Sequence, residues 1–508
     1  MPRSKPRGRK RDGIGRREFL KGAATVALAS AALPSIAVAA NPATNTGGSP
    51  VPRMIGIQIG AVSFVDEGVD QVLDIIQEKA SVNTIFLATF TYGRGIAGRQ
   101  VPGQPLPDHG VQAYDEKQFH GGNYATPHEK FYEKTVIKQT RAPDHGDVDI
   151  LEMVLPKAKK RGIKIYCWYE DQWRDDIPNI DRVREVDVRG KPAGTMCAMN
   201  PDYREFLIGL TRDYCTSYPI DGVMWASERA GPFNNVISRP KDPASRATCF
   251  CEHHQKAARQ RGIDVARARE GYEKLAAFVD AAAKEQRPTD GYFVTFWRLM
   301  VEYPEILAWE KLWTDGKHAI YADIHRAAKD ARRDVQVGFH IWHANSFSPF
   351  VRAEQDYAAF AKIADFLKIV LYNNCGGPRY VRHLNNVGST IFRDVSREEL
   401  LRLHNSFLGY GDEKPLSELP KSGLSADYVA RETRRALADV KGACRIYPGI
   451  DIDIPTEADE KKTTPDDVFD ATTAALKSGA DGVIFSRKYS EMRLANLAAG
   501  GRALKASG

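Results

Sequence analysis

Side chains able to do acid–base chemistry recur in clusters, each directly behind a short apolar run. Glu170, Asp171 and Trp173 form one cluster, and Trp225, Ser227, Glu228 and Arg229 a second. His340, Trp342 and His343 form a third, Tyr372, Asn373 and Asn374 a fourth, Asp451 and Asp453 a fifth, and Arg487, Lys488 and Tyr489 a sixth. Carboxylates interleaved with aromatic rings suit carbohydrate chemistry. A glycosidic bond is broken by one carboxyl group held protonated beside the leaving oxygen and one ionised carboxylate across the sugar. Flat rings cover the apolar faces of the sugar. Gly93-Arg94-Gly95-Ile96-Ala97-Gly98 has the dinucleotide-binding spacing only loosely and no helix signal behind it, so a nicotinamide cofactor is not expected.

Glu228 and Asp451 make the leading carboxylate pair. Glu228 stands beside Trp225 and Arg229, where partial burial would raise its pKa toward that of a general acid; a salt bridge to a rim arginine is the alternative. Asp451 and Asp453 alternate along an extended segment and can share one side. Asp451, nearer the strand, is then the nucleophile or base, with Glu170 and Asp171 in reserve. Trp173, Trp225, His340, Trp342, His343, Tyr372, Asn373 and Arg487 are the candidate substrate-binding residues. Of these, Trp342 would stack and His340 would hydrogen-bond a hydroxyl, ordinary rim packing being the alternative, while Arg487 would orient a carboxylate or hold an acidic sugar.

Something must bring these clusters to one place, and the apolar runs supply it. There are eight: Met54–Ile59, Asn83–Thr89, Ile163–Tyr169, Ile220–Ala226, Val335–Ile341, Phe366–Tyr372, Arg445–Ile450 and Asp481–Ser486. Rich in Ile, Val, Phe and Tyr and alternating with helix-like stretches, they read as the doubly buried parallel strands of one (β/α)8 TIM barrel, an α/β fold whose chemistry sits at the C-terminal strand ends. Two long insertions, Thr91–Asp149 after the second run and Arg229–Asp334 after the fourth, would lie over the mouth. The first carries His109, His120, His128 and His145 without regular ligand spacing, which favours hydrogen-bonding roles. The second reads as helices over Gln255–Arg261, Val265–Ala283 and Thr295–Ala331. In it Trp297, Tyr303, Trp309 and Trp313 stand at helical spacings that suit a core, and Glu302 and Glu310 read as solvated or paired.

Residues 1–39 read as a twin-arginine export signal: a basic leader, Arg16-Arg17-Glu18-Phe19-Leu20-Lys21, the weakly apolar stretch Gly22–Ala32 and the small-residue site Ala37-Val38-Ala39. Residues 40–53 are a linker, and 54–508 form a single barrel domain. The twin-arginine translocase is thus an expected partner, and the periplasm or the exterior the expected location. That leader holds nine Lys or Arg against Asp12 and Glu18, which accounts for the whole formal charge of +7. The remainder is near neutral, so neither nucleic acid nor a membrane anchor is expected. Seven cysteines form no evident disulfide framework, and buried thiols are expected for most. Cys249-Phe250-Cys251-Glu252-His253-His254 could supply three of four ligands to a structural zinc, with no fourth ligand evident and a plain loop-to-helix junction as the alternative.

Met199-Asn200-Pro201-Asp202-Tyr203-Arg204, Tyr218-Pro219-Ile220-Asp221-Gly222-Val223-Met224-Trp225 and Cys249-Phe250-Cys251 carry a resemblance to the bacterial glycoside-hydrolase-like barrel proteins and, more loosely, to barrel β-galactosidases, over roughly residues 54 to 490. The resemblance implies an O-glycosyl hydrolase acting on an oligo- or polysaccharide. It also sets the cysteine segment beside the cluster that some barrel glycosidases carry after strand four, with His254 where the last cysteine would fall. The chain departs from the pattern in having Ser227 rather than Asn before Glu228, and aspartates rather than a glutamate after the seventh run. A catalytically silent carbohydrate-binding barrel and a metal-dependent sugar isomerase or epimerase remain open beside it.

Overall fold

The computed structural model describes residues 53–91, 98–115, 121–171, 176–411 and 413–507. The targeting segment, the linker up to Pro52, Gly93, Gly95, His120 and Trp173 therefore lie outside the described residues. Eight parallel strands close on themselves: β1 Met54–Gly60, β2 Thr84–Thr91, β3 Lys164–Glu170, β4 Gly222–Ala226, β5 Gln336–Ile341, β6 Phe366–Val370, β7 Arg445–Asp451 and β8 Gly482–Ser486. Each is hydrogen-bonded to the next, and β8 returns to β1. All eight apolar runs are strands, with ends that move by two residues or fewer. The fold is the (β/α)8 barrel.

Side-chain alternation divides each strand between two cores. Outward residues such as Val223, Trp225, Phe339 and Ile369 pack against the surrounding helices. Inward residues Phe86, Tyr166, Phe366 and Tyr447 fill the lower barrel, with ring centroids 5.2–5.9 Å apart in successive pairs. Four large rings fit there because glycine stands opposite them. A Cβ on Gly338 would fall 2.1 Å from the Phe366 ring, and one on Gly222 would fall 2.6 Å from Tyr166. This aromatic plug leaves the upper barrel and mouth as the space in which chemistry can occur.

The insertion after β4 builds a second hydrophobic cluster around Phe250, Tyr272, Phe296 and Trp309, with Phe250 stacked on Trp309 at 4.5 Å. Its helices run Glu252–Gln260, Val265–Ala283, Tyr292–Glu302 and Glu305–Ala331. The helical stretch Thr295–Ala331 is thus two helices, the one leading into β5 beginning at Glu305. Pro304 divides them, since it disfavours helical geometry at Tyr303, which turns extended at φ −126°. Trp309 and Trp313 are core residues as their spacing suggested, but Trp297 is 56% exposed. Glu310 is buried rather than solvated and accepts the Phe233 amide at 2.7 Å. In the insertion after β2, His109 bridges Glu67 and the Met492 carbonyl, and His128 pairs with Asp213, both in hydrogen-bonding roles. No helix among the described residues is long and apolar enough to cross a membrane.

If the aromatic plug sets the barrel's internal spacing, Gly338→Ala overpacks it. Urea unfolding should then show a loss of ~1–3 kcal/mol; an unchanged midpoint would mean that the Phe366 ring moves aside freely.

Candidate functional site

Above the plug, the inward positions turn polar. Gln58 of β1, His340 of β5, Lys368 of β6 and Ser486 of β8 are all buried and form one hydrogen-bonded floor. The Lys368 ammonium donates to Gln58 Oε1 and, at 2.9 Å, to the Tyr372 hydroxyl, and it lies 3.5 Å from His340 Nδ1. Ser486 donates to Gln58 Oε1 at 2.9 Å. An ammonium has donors only, so it makes Nδ1 of His340 the acceptor and leaves the ring proton on Nε2. Nε2 in turn donates to Glu228 Oε1 at 2.9 Å.

Glu228 stands just past β4 on a loop held from both sides. Lys317, on the long helix Glu305–Ala331, donates to the backbone carbonyls of Ser227 at 3.1 Å and Arg229 at 2.6 Å. The Ser227 hydroxyl donates to Asp171 at 2.7 Å, as does Tyr203. Arg229 turns away from the mouth to an ion pair with Glu185 at 2.8 Å. The Glu228 side chain keeps 41% of its exposure and faces the cleft. Glu170 ends β3 in register with Ala226, two residues before Glu228 on the neighbouring strand, and is 6% exposed. Among the described residues its Oε2 has no hydrogen-bond partner, nor do the inward Gln58 Nε2 and Trp168 Nε1. Buried polar atoms are seldom left unpaired, and all three of these stand at inward strand positions.

The two glutamates are driven apart electrostatically. Burial pushes the Glu170 carboxyl well above its ordinary range, the nearby Glu228 charge pushes it further, and Arg487 opposes them. Burial also acts upward on Glu228, but the His340 hydrogen bond and the nearby Arg379 and Lys368 charges outweigh it and bring that carboxyl down to about 2. Expectation had placed the proton on Glu228; the donors around it place the negative charge there instead. Burial and Lys368 lower His340, keeping the imidazole neutral, and burial brings Lys368 down to about 7 against the pull of Glu228 and Glu170.

The other expected residues divide by position. Trp342 is half-buried in a cavity of about 330 Å³ shared with Glu228, Phe347 and Arg379. Arg487 comes close enough to act on Glu170 while bonding Glu491. Tyr372 belongs to the floor. His343 is buried between Arg379 and the Tyr428 hydroxyl, 3.2 Å from each, so it positions Arg379 while lining the same cavity as Trp342. Asn373 is buried in the first turn of the helix Asn373–Gly388, its carbonyl accepting the Leu424 amide.

Three expectations need correction. Trp225 points outward, 1% exposed and edge-on to Tyr321 at 4.7 Å, because the strand period puts Met224 and Ala226 inside; it offers no stacking face at the mouth. Asp451 is fully buried and accepts the amides of Cys375 at 2.9 Å and Ile454 at 3.3 Å, so it caps the N-terminus of the helix Asn373–Gly388. Burial lifts its pKa to about 6 against those donors. Asp453 does not share its side: a left-handed φ of 56° turns it to Arg493 and Asn496, where it pins the start of the C-terminal helix. Gln58, Lys368, Arg379 and Lys317 were not anticipated, and a lysine inside an apolar strand was the one available signal.

The thiol cluster gains its fourth member. Cys197, Cys249, Cys251 and His254 bring their ligand atoms within 4.8 Å of one another, with Cys197 Sγ 3.5 Å from Cys251 Sγ and 3.3 Å from His254 Nδ1. Cys251 is held well below the usual thiol range by its cysteine neighbours, as a metal-ligating thiolate requires. Three thiols and an imidazole at tetrahedral spacing fit zinc. No other such group occurs among the described residues. All seven cysteines are free of disulfides.

No protein-family model and no curated protein matches the chain. Among solved structures it is similar to the PgaB (BpsB) glycoside hydrolase domain from Bordetella bronchiseptica, at 12% identity and a TM-score of 0.46 over 89% of this chain and 98% of that one. It is also similar to α-L-fucosidase isoenzyme 2 from Paenibacillus thiaminolyticus (12%, 0.47, 89% and 49%). A third is a β-galactosidase from Halorubrum lacusprofundi (13%, 0.48, 89% and 58%). The chain spans between about half and three-fifths of the latter two. At this distance the likeness concerns the barrel alone.

The His340 bond should be readable directly. With glutamate carboxyls labelled with carbon-13, the Glu228 resonance should titrate below the ordinary carboxylate range, and His340→Leu should move it upward, since burial then acts without its main counterweight. A Glu228 titration untouched by His340→Leu would remove the histidine as the cause.

Proposed function

We propose that the protein is a glycoside hydrolase whose working carboxyl pair is Glu170 and Glu228. The observation that carries the reading is geometric: Glu170 and Glu228 stand at adjacent strand ends, one buried with an oxygen left without a partner among the described residues, the other exposed and accepting from His340, and the directions in which the two carboxyls shift agree with it. Glu170 gives its proton to the glycosidic oxygen as the bond to the anomeric carbon breaks. Glu228 faces the positive charge that develops on the sugar, either bonding to that carbon or taking a proton from the attacking water. Lys368 and His340 keep Glu228 charged, Asp171 and Lys317 fix its loop, and Trp342 offers a ring to the substrate.

Glu228→Gln should lower kcat by about 10²–10⁴-fold without unfolding the barrel. Glu170→Gln should lose similar activity on substrates with poor leaving groups but retain more on activated aryl glycosides, which need no proton. The signs of the pH profile follow. Activity requires Glu228 ionised and Glu170 protonated, so the acid limb lies low and the alkaline limb, set by Glu170, disappears in Glu170→Gln. Equal loss on both leaving-group classes, with the alkaline limb intact, would take the acid role from Glu170.

The export signal and the thiol cluster complete the proposal. Arg16-Arg17 and the apolar stretch after them support delivery through the twin-arginine translocase to the periplasm or beyond. Cys197, Cys249, Cys251 and His254 would hold a structural zinc, joining the ribbon around Cys197 to the helix start at Glu252. Purified protein should then carry about one zinc per chain by elemental analysis, and Cys251→Ser should lower both zinc content and Tm. A full-length chain without metal and with an unchanged Tm would overturn this.

A further inference from the structure

The cleft has a second arm whose charge is out of balance. On the side away from Trp342, Glu228 borders a cavity of about 460 Å³ roofed by the antiparallel ribbon of Arg184–Val186 and Pro192–Met196 and by the loop Arg239–Thr248. Its walls carry three carboxylates and five cations. Each carboxylate is already committed: Glu185 to Arg229, Asp187 to Arg189 and Glu228 to His340. Lys191 and two arginines, Arg239 and Arg246, are left. Neither arginine has an ion pair or a side-chain hydrogen bond to any described residue; both are exposed at the cavity wall, and partial desolvation, followed by the nearby Arg246 charge, disfavours the charge on Arg239. Arg239, at the end of the helix Pro232–Ser238, lines both arms of the cleft beside Glu228.

Two guanidinium groups on one cavity wall with no carboxylate committed to them leave that wall positive and suited to an anion. A guanidinium fork matches the planar oxygen pair of a carboxylate, and it also takes a sulfate ester. Neutral sugars need no such pair. Resting on the carbohydrate reading of the site, we infer that the protein selects an acidic saccharide, with Arg239 and Arg246 binding the anionic group of a sugar unit beside the one at Glu228. This names a substrate class and two specificity residues outside the acid–base pair.

The test uses the full chain carrying Glu170→Gln, so that binding is read without turnover, and calorimetric titration with three ligands: neutral, uronate-containing and sulfated oligosaccharides. Acidic oligosaccharides should bind at least about tenfold tighter than neutral ones, with the uronate and sulfate arms telling which anion is preferred. That preference should shrink between 50 and 500 mM salt. Arg239→Met and Arg246→Met should each remove about tenfold of the acidic affinity, the size of a lost charged hydrogen bond, and leave neutral binding unchanged. Arg239→Lys should restore part of it, which separates charge from folding. Equal binding of neutral and acidic ligands, acidic binding indifferent to both substitutions, or no saccharide bound at all would overturn the inference. Acidic binding through Arg239 by a chain whose unsubstituted form cleaves no linkage would instead leave the inference standing and end the hydrolase reading.

Discussion

A single buried ammonium sets the charge pattern of the barrel mouth. Lys368 sits inside β6 with no exposure, where an isolated cation costs several kcal/mol in lost hydration. It remains because Gln58, Tyr372 and the Nδ1 of His340 receive its protons, and because Glu228 and Glu170 lie above it. The neighbouring groups take part of their state from that arrangement and part from burial. Burial and then Lys368 lower His340, whose Nε2 proton goes to Glu228; that bond holds the Glu228 carboxyl down, while burial and then the Glu228 charge push Glu170 up. The order of pKa values in the cleft therefore follows from burial, one histidine bond and one lysine that never touches the opening.

Such a floor is possible only because the lower barrel is closed. Four aromatic rings opposed by glycines fill the volume beneath Gln58 and Lys368 and exclude water from below. Solvent reaches the polar layer from one direction, so Glu228 can be wetted while Lys368 and Glu170 are not. The helices of the insertion after β4 act from outside. Lys317 on their last member reaches back to the carbonyls on either side of Glu228, which makes the position of the carboxylate depend on the packing of residues nearly a hundred positions later in the chain.

The sequence made the barrel legible because buried parallel strands have a local signature: all eight runs are short, apolar and β-branched or aromatic. The helix that begins after Thr464 has an equally local signature, a capping box with Asp467 within four residues. The site was half legible. Glu170, Glu228, His340, Trp342 and Arg487 do meet at one mouth, since strand ends must converge once the barrel closes. Their protonation was not readable, because it depends on pairs more than a hundred residues apart, such as His340 with Glu228. Asp451 misled for a related reason: an aspartate at a strand end looks the same whether it faces substrate or caps the next helix. Cys197 was invisible as a ligand, standing 54 residues before Cys251 and brought to it only by the ribbon.

The ribbon also connects the two halves of the functional apparatus. Glu185, at its first strand, accepts from Thr195, Thr248 and the Trp313 indole and pairs with Arg229, the residue after Glu228. Cys197 follows its second strand, and Cys249 follows Thr248. The four-ligand cluster, the ribbon and the Glu228 loop thus share one buried carboxylate. Burial pushes that carboxyl upward, but Arg229 and three neutral donors overcome it, so Glu185 stays charged inside the protein. A buried charge satisfied by four partners tolerates little displacement, because losing any partner leaves it undercompensated. The physical consequence is rigidity where the cleft needs it: the loop carrying the ionised glutamate is tied through Arg229 and Glu185 to the segments that cross at the thiol cluster, rather than left to the freedom of a long connection.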